Sequence, residues 1–264
     1  MYELQYSKPS SVNDAVSEIK KSSDAKFLAG GMTMIPTLKA RLSSADLLVD
    51  LKGANLSNIS VSSSEVIVGS MTRHCDVASS SDIKGSLPAL AKLAGGIGDH
   101  MVRSCGTIGG SLANNDPAAC YPSAVLALGA TVVTNERSIT ADDFFEGMFE
   151  TALNEDEIIT EIKFPIPEKA SYIKFPNPAS RYAMVGVFMV KKPEGISVAV
   201  TGAGENGVFR CQEIENVLNS NFALEALDNI QISHDNLTSD IHASAAYRAN
   251  LIREMAKKGL QELI

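Results

Sequence analysis

Two glycine pairs constrain this chain more than any other feature. Residues 29–36 read A-G-G-M-T-M-I-P, and residues 107–120 read T-I-G-G-S-L-A-N-N-D-P-A-A-C. Each pair follows a short apolar run and leads into a helix start. Glycine lets the backbone turn with positive φ and approach a ligand closely. The open N–H groups of such turns, and of the helix N-termini beside them, bind phosphate. Two such loops far apart in the chain point to one long phosphate-bearing ligand gripped from two sides. Around Gly109-Gly110, the side chains of Thr107, Ser111, Asn114 and Asn115 add short hydrogen-bonding groups. That mixture suits a pyrophosphate and ribitol chain. A-G-G by itself is also an ordinary turn after a strand.

Periodicity places these loops among alternating strands and helices. Ser11 with Asp14 resembles a capping box for a helix over 11–20, with Val12, Ala15, Val16 and Ile19 on one face. Lys26–Ala29 reads as a strand ending at Gly30-Gly31. A helix is predicted near Pro36, carrying Leu38 and Leu42, and Leu47–Leu51 as the next strand. Val66–Val68 opens a second half. Leu87–Ala94 reads as a helix with Pro88 in its first turn and Gly95-Gly96 at its end. After the second loop come a helix over Tyr121–Leu128 and strands over Thr131–Thr134 and Glu157–Phe164. Pro165 and Pro167 mark a boundary. Beyond about residue 169, Ser171–Phe175, Val185–Val190 and Ile196–Thr201 read as strands, followed by three helical segments. The last is predicted to carry Ile241, Ala245, Ile252 and Met255 on one face. Strands first and helices after describe a small α+β domain.

Composition narrows the function. The chain has 264 residues, 45% of them hydrophobic, enough to bury a large core. Its 23 basic and 31 acidic side chains leave a formal charge of −8, and no basic run occurs. A nucleic-acid partner, which needs a cationic surface, is not expected. No apolar run reaches membrane-span length, and M-Y-E-L-Q-Y lacks the order of a signal peptide. The expectation is a cytoplasmic protein. Cys75, Cys105, Cys120 and Cys211 form no C-x-x-C pair and the four histidines are scattered. No metal or iron–sulfur site is therefore expected on this chain. Redox chemistry would come from a bound cofactor or another subunit. His74 and His100 read as loop or cap residues.

Other candidates admit two readings. Gly202, Gly204 and Gly207 spell G-x-G-x-x-G after a strand, the pattern of a nicotinamide-cofactor loop. Val208-Phe209-Arg210 then reads as a strand, so a hairpin loop is the expectation. Arg103 could anchor a phosphate or a partner's carboxylate, or lie on the surface. Tyr182 could stack on a flat ring and Lys174 could tune one by its charge. On periodicity alone both are ordinary sheet residues. Asp142-Asp143 reads as a helix start, not an acid/base pair. No nucleophilic triad and no paired carboxylates are evident.

These residues carry a family resemblance. Residues 29–36 and 107–117 resemble the two flavin loops of the FAD-binding subunits of molybdenum hydroxylases. Residues 96–110, G-I-G-D-H-M-V-R-S-C-G-T-I-G-G, resemble the lead-in typical of the medium subunit of aerobic-type carbon monoxide dehydrogenase. Residues 142–153, D-D-F-F-E-G-M-F-E-T-A-L, and 182–187, Y-A-M-V-G-V, add to it. The resemblance spans nearly the whole chain and is specific to the family, not to a substrate. It implies an α+β protein. Residues 1–168 would form the two-part FAD-binding fold of the vanillyl-alcohol oxidase type, split near residue 55, and residues 169–264 a small α+β C-terminal domain. It implies non-covalent FAD. Leu28, Ala29, Gly30, Gly31, Met32, Thr33 and Met34 would hold the pyrophosphate and ribitol on one side. Thr107, Ile108, Gly109, Gly110, Ser111 and Asn114 would hold them on the other. Cys120 stands at a further cofactor position. Ile159 would pack near the isoalloxazine, Lys174 would approach it and Tyr182 would cover one face.

The same resemblance implies an oxidoreductase assembly, a dimer of heterotrimers. A large subunit would carry the molybdenum cofactor and oxidise the substrate. A small subunit would carry two 2Fe–2S clusters, and this chain would pass their electrons through FAD to an external acceptor. The chain departs from the family pattern in places. Cys120 stands where Asp is usual, Met32 and Met34 where small polar and Leu residues are common, and Arg181 where Asp is common. The first loop has no histidine for a covalent flavin link. A stand-alone flavoprotein oxidase and a structural subunit that has lost FAD remain as alternatives.

Overall fold

The computed structural model describes residues 1–264. Its first unit is a three-stranded parallel sheet in which Leu47–Asp50 lies between Gln5–Ser7 and Ala25–Leu28. The central strand, L-L-V-D, is buried along its whole length, as expected of a parallel strand covered on both faces. The helix Val12–Ile19 starts where the Ser11 hydroxyl accepts the Asp14 N–H at 3.1 Å. It lays Ala15 and Ile19 against Leu47, Val49 and Leu51. The second helix, Met34–Lys39, is shorter than the pattern predicted. Arg41 takes a left-handed conformation (φ 58°), which ends the turn and leaves Leu42 81% exposed.

The second unit is a five-stranded antiparallel sheet in the order Ile59–Val61, Glu65–Gly69, Ile159–Pro165, Thr131–Thr134 and Ser138–Thr140. The chain thus crosses from Gly69 to Thr131 through a cluster of helices before Ile159–Pro165 returns to the centre. Two of those helices, Pro88–Gly95 and Tyr121–Leu128, share its core with Val66, Val68, Ile162 and Phe164. All eight residues of Tyr121–Leu128 are buried. A helix apolar on every side must be covered on every side. The remaining cover comes from the third sheet, whose Tyr172, Phe188, Val190 and Ala199 enter the same core.

That third sheet is an antiparallel meander of Lys169–Pro176, Ala183–Lys192, Gly195–Thr201 and Phe209–Arg210. Strand alternation sends Val187 and Met189 to the opposite face, against Ile214, Leu218, Ile252, Met255 and Leu260 of the helices Gln212–Ser220 and Ala245–Leu263. Gly202–Gly207 is the connection between two antiparallel strands and opens no helix. Ile241 does not join the last helix; it is 96% exposed, and the helix begins after Ser244. The reason is a turn at Asp240, whose carboxylate accepts the His242 and Ala243 N–H groups and pairs with Arg248. The meander is latched to the second unit by Thr201, whose hydroxyl donates to the Pro117 and Ala119 carbonyls. No helix is long and apolar enough to cross a membrane.

Candidate functional site

The three units meet around a cleft of about 430 Å³. Both glycine loops line it, and they touch each other. A Cβ on Gly110 would stand 3.2 Å from the Ala29 Cβ, and one on Gly30 would strike the Cys105–Gly106 peptide. Any side chain at these positions would fill the seam between the loops. Of the residues predicted from sequence, Leu28 through Met34, Thr107, Gly109, Gly110, Ser111, Asn114, Cys120, Ile159, Lys174 and Tyr182 all line the cleft. Ile108 does not. Its side chain is fully buried in the second unit's core, where it anchors the loop from behind.

The two loops differ in what they offer a ligand. The second glycine pair is no loop but the first turn of the helix Ile108–Asn114, capped by Thr107, and its donors are already used. The Ile108 N–H donates to the Thr72 carbonyl, Gly109 to Ser70, Gly110 to the Thr107 hydroxyl and Ser111 to the Thr107 carbonyl. In the first, the backbone N–H groups from Ala29 to Met34 donate to no protein acceptor. Gly31 sits at φ +70°, and the chain then enters the helix Met34–Lys39. A run of unpaired N–H groups around a positive-φ glycine is an anion-binding concavity.

Sequence reasoning missed the segment that holds the second loop in place. Ser70 to His74 runs alongside Gly106–Gly109, with His74 N–H donating to the Gly106 carbonyl at 2.9 Å. Ser70, Met71 and His74 line the cleft. His74 opens the helix His74–Ser79, next to its cap, and is buried there. It is 5% exposed, packs its ring 5.4 Å from that of Tyr121, and has its pKa lowered to about 4 by burial and then by the Arg103 charge. It is therefore a neutral imidazole. The Ser70 hydroxyl and the His74 Nδ1 are buried without a hydrogen-bond partner. Gly106 has no room for a Cβ, which would lie 2.6 Å from His74 Nε2.

At the other end of the cleft, the Lys174 ammonium donates to the Gly96 and Arg181 carbonyls, the latter at 3.0 Å, and lies 3.7 Å from Cys120 Sγ. It ties the helix end at Gly95-Gly96 to the turn that carries Tyr182. Arg181, in that turn, has φ 62°. Tyr182 is half-exposed beside the cleft, with its pKa raised by burial and then by Asp116. Arg103 is not among the residues that line the cleft. Its Nη1 donates to the Ile97 and Gly98 carbonyls and braces that lip. The Glu157 carboxylate, also at the lining, is held near pKa 2, first by its hydrogen bonds from Arg137.

A pre-formed cleft with an unpaired N–H run, a glycine seam and an aromatic at its mouth defines a site for a flat ring joined to a phosphate chain. Residues 2–167 match the family described as FAD binding domain in molybdopterin dehydrogenase. The chain is 32% identical to the glyceraldehyde dehydrogenase medium chain of Sulfolobus acidocaldarius, covering 99% of this chain and 98% of that one. It is 31% identical to the nicotine 6-hydroxylase medium subunit of Paenarthrobacter nicotinovorans, over 98% and 96% of the two chains. Among solved structures, reconstituted carbon monoxide dehydrogenase from Oligotropha carboxidovorans superposes with a TM-score of 0.90 at 28% identity, covering 99% of this chain and 97% of that one. The chain belongs to the FAD-binding family of the molybdopterin dehydrogenases and is a medium-chain flavoprotein component of that oxidoreductase class.

Proposed function

We propose that this chain is the electron-transfer subunit of a molybdenum hydroxylase. It takes electrons from 2Fe–2S clusters on a small subunit and passes them through non-covalent FAD to an external acceptor. A large subunit with the molybdenum cofactor oxidises the substrate, and the assembly is a cytoplasmic dimer of heterotrimers. The observation that carries the reading is the unpaired N–H run from Ala29 to Met34 at the seam of the two glycine loops.

In this reading the Ala29–Met34 N–H groups hold the pyrophosphate, and Thr107, Ser111 and Asn114 contribute from the facing loop. Ile159 and Tyr182 flank the ring, and Lys174 approaches its edge. When bound, FAD supplies the ability to exchange electrons singly or in pairs. The protein's part is to orient the ring, shield it with Tyr182 and set its electrostatic surroundings. The first loop has neither histidine nor cysteine, so it offers no covalent attachment. Two relatives of nearly equal identity are named for glyceraldehyde and for nicotine. That indifference fits a subunit that handles electrons and leaves substrate choice to its partner.

The test is to purify the chain, add FAD, remove the excess and record the visible spectrum. Retained, structured flavin absorption that is lost in Gly110→Val supports the reading. Absence of retained flavin from both the isolated chain and its complex favours a structural subunit that has lost FAD.

A further inference from the structure

We propose that Lys174 is a fixed, uncompensated cation at the ring end of the cleft, and that Cys120 leaves it so. Together they raise the reduction potential of the bound flavin. The inference rests on the flavin reading above.

Lys174 does not behave as a surface lysine. Its Nζ is held by the Gly96 carbonyl, the Arg181 carbonyl and Cys120 Sγ at once. Three partners on three separate segments fix the ammonium in place. None of them is a carboxylate, and Lys174 takes part in no ion pair. Cys120, 5% exposed, is the one side chain among them. A carboxylate at that position would meet the ammonium directly and cancel most of its field. A thiol is a weak acceptor and does not. The other charges nearby do not substitute for it. Arg103 and Arg181 are further cations. The Asp99 and Asp116 carboxylates accept the Val102 and Ala118 N–H groups and form no hydrogen bond or ion pair with Lys174.

The chemical consequence follows from where charge develops. An oxidised isoalloxazine is neutral, whereas its two-electron reduced form carries negative charge along the N1–C2 edge. A cation fixed beside the bound ring would favour the reduced form. The electrons come from the redox partner already invoked, so no further reactant is required.

The experiment is a spectroelectrochemical titration of the FAD-loaded chain. Cys120→Asp is expected to cut the ratio of reduced to oxidised flavin at a given potential about tenfold, a fall of ~30 mV in the two-electron midpoint. Lys174→Gln should lower the midpoint similarly, and Cys120→Asp on top of it should lower it further, because the added carboxylate then has no ammonium to meet. Cys120→Ser should leave the midpoint where it is. An unchanged midpoint in loaded Cys120→Asp overturns the proposal. So does a raised midpoint in Cys120→Ser, since the sulfur would then have been the compensating charge. If Cys120→Asp does not load, Lys174→Gln decides alone, and an unchanged value there overturns it. Failure of the wild-type chain to take up FAD at all would instead strike the flavin reading itself.

Discussion

Gly30 lies directly against the Cys105 carbonyl: a Cβ added to Gly30 would stand 2.2 Å from that oxygen and 2.7 Å from Gly106 Cα. Two segments far apart in sequence thus meet backbone to backbone, and no flexible side chain lies between them to yield. Gly30→Ala should force the loops apart, destabilise the fold by about 1–3 kcal/mol and weaken FAD retention. Gly85→Ala is the control. It sits in the helix Ser81–Ser86 with nothing within 4 Å of its would-be Cβ, and should stabilise by roughly 0.5–1 kcal/mol. Chemical denaturation and flavin titration of both variants check the pair.

His74 gives the fold an acid-sensitive limb. Its pKa falls from 6.5 unfolded to about 4 folded, so between those values the unfolded chain binds the extra proton. Its contribution is fully present above pH 6.5 and erodes as pH falls toward 4, by about 3 kcal/mol in all. His74→Gln should flatten the stability profile over that window. An equally steep decline in the variant would show that other groups set it.

Phe149 holds a left-handed backbone, φ 60°, with its side chain 55% exposed. Such a conformation costs a bulky residue about 1–3 kcal/mol, and few contacts of its own offset it. Phe149→Gly should raise stability by about 1 kcal/mol. The turn is kept in place by buried Asn115, whose Nδ2 donates to the Gly147 and Glu150 carbonyls, both at 2.8 Å, and whose main-chain carbonyl accepts the Phe149 N–H. Asn115→Ala should cost about 2–3 kcal/mol, the loss of two buried hydrogen bonds and of a residue suited to φ 39°. Thermal melts should move in opposite directions for the two variants.

Glu157 is buried and ionised because Arg137, Thr134 and the Asn154 N–H converge on it. Its lowered pKa means that its stabilisation is present above about pH 4.5 and is lost as pH falls toward 2. Arg137→Ala should raise the carboxyl pKa, read by ¹³C NMR of the Glu157 carboxyl, and should shift acid unfolding to higher pH.

Much of this organisation is legible in the chain, and the reason is local. Ser11 caps a helix because its hydroxyl is three residues from the N–H it accepts. Tyr121–Leu128 is buried because eight apolar or small residues leave it no polar face. The glycine loops announce themselves because no other residue fits where backbones touch. Ile241 misled because helical spacing continues past the point where Asp240 captures two N–H groups and breaks the helix.

Ser70–His74 left no trace in the pattern, since it supports the second glycine pair through main-chain N–H and carbonyl groups that any side chain could accompany. Lys174 and Tyr182 looked like sheet surface because period-two alternation says nothing of what a strand's end will face. The amino-acid sequence by itself determined many of the elements and the two glycine pairs, because these depend on short-range sterics and apolar periodicity, and it pointed to the flavin family through the resemblance of its motifs. Only the tertiary structure decided that the N–H groups of one loop stay free while those of the other are used. It also decided that His74 is buried neutral, and that Lys174 meets a thiol and two carbonyls with no carboxylate among them. These are outcomes of which distant segments touch, and spacing along the chain does not encode that.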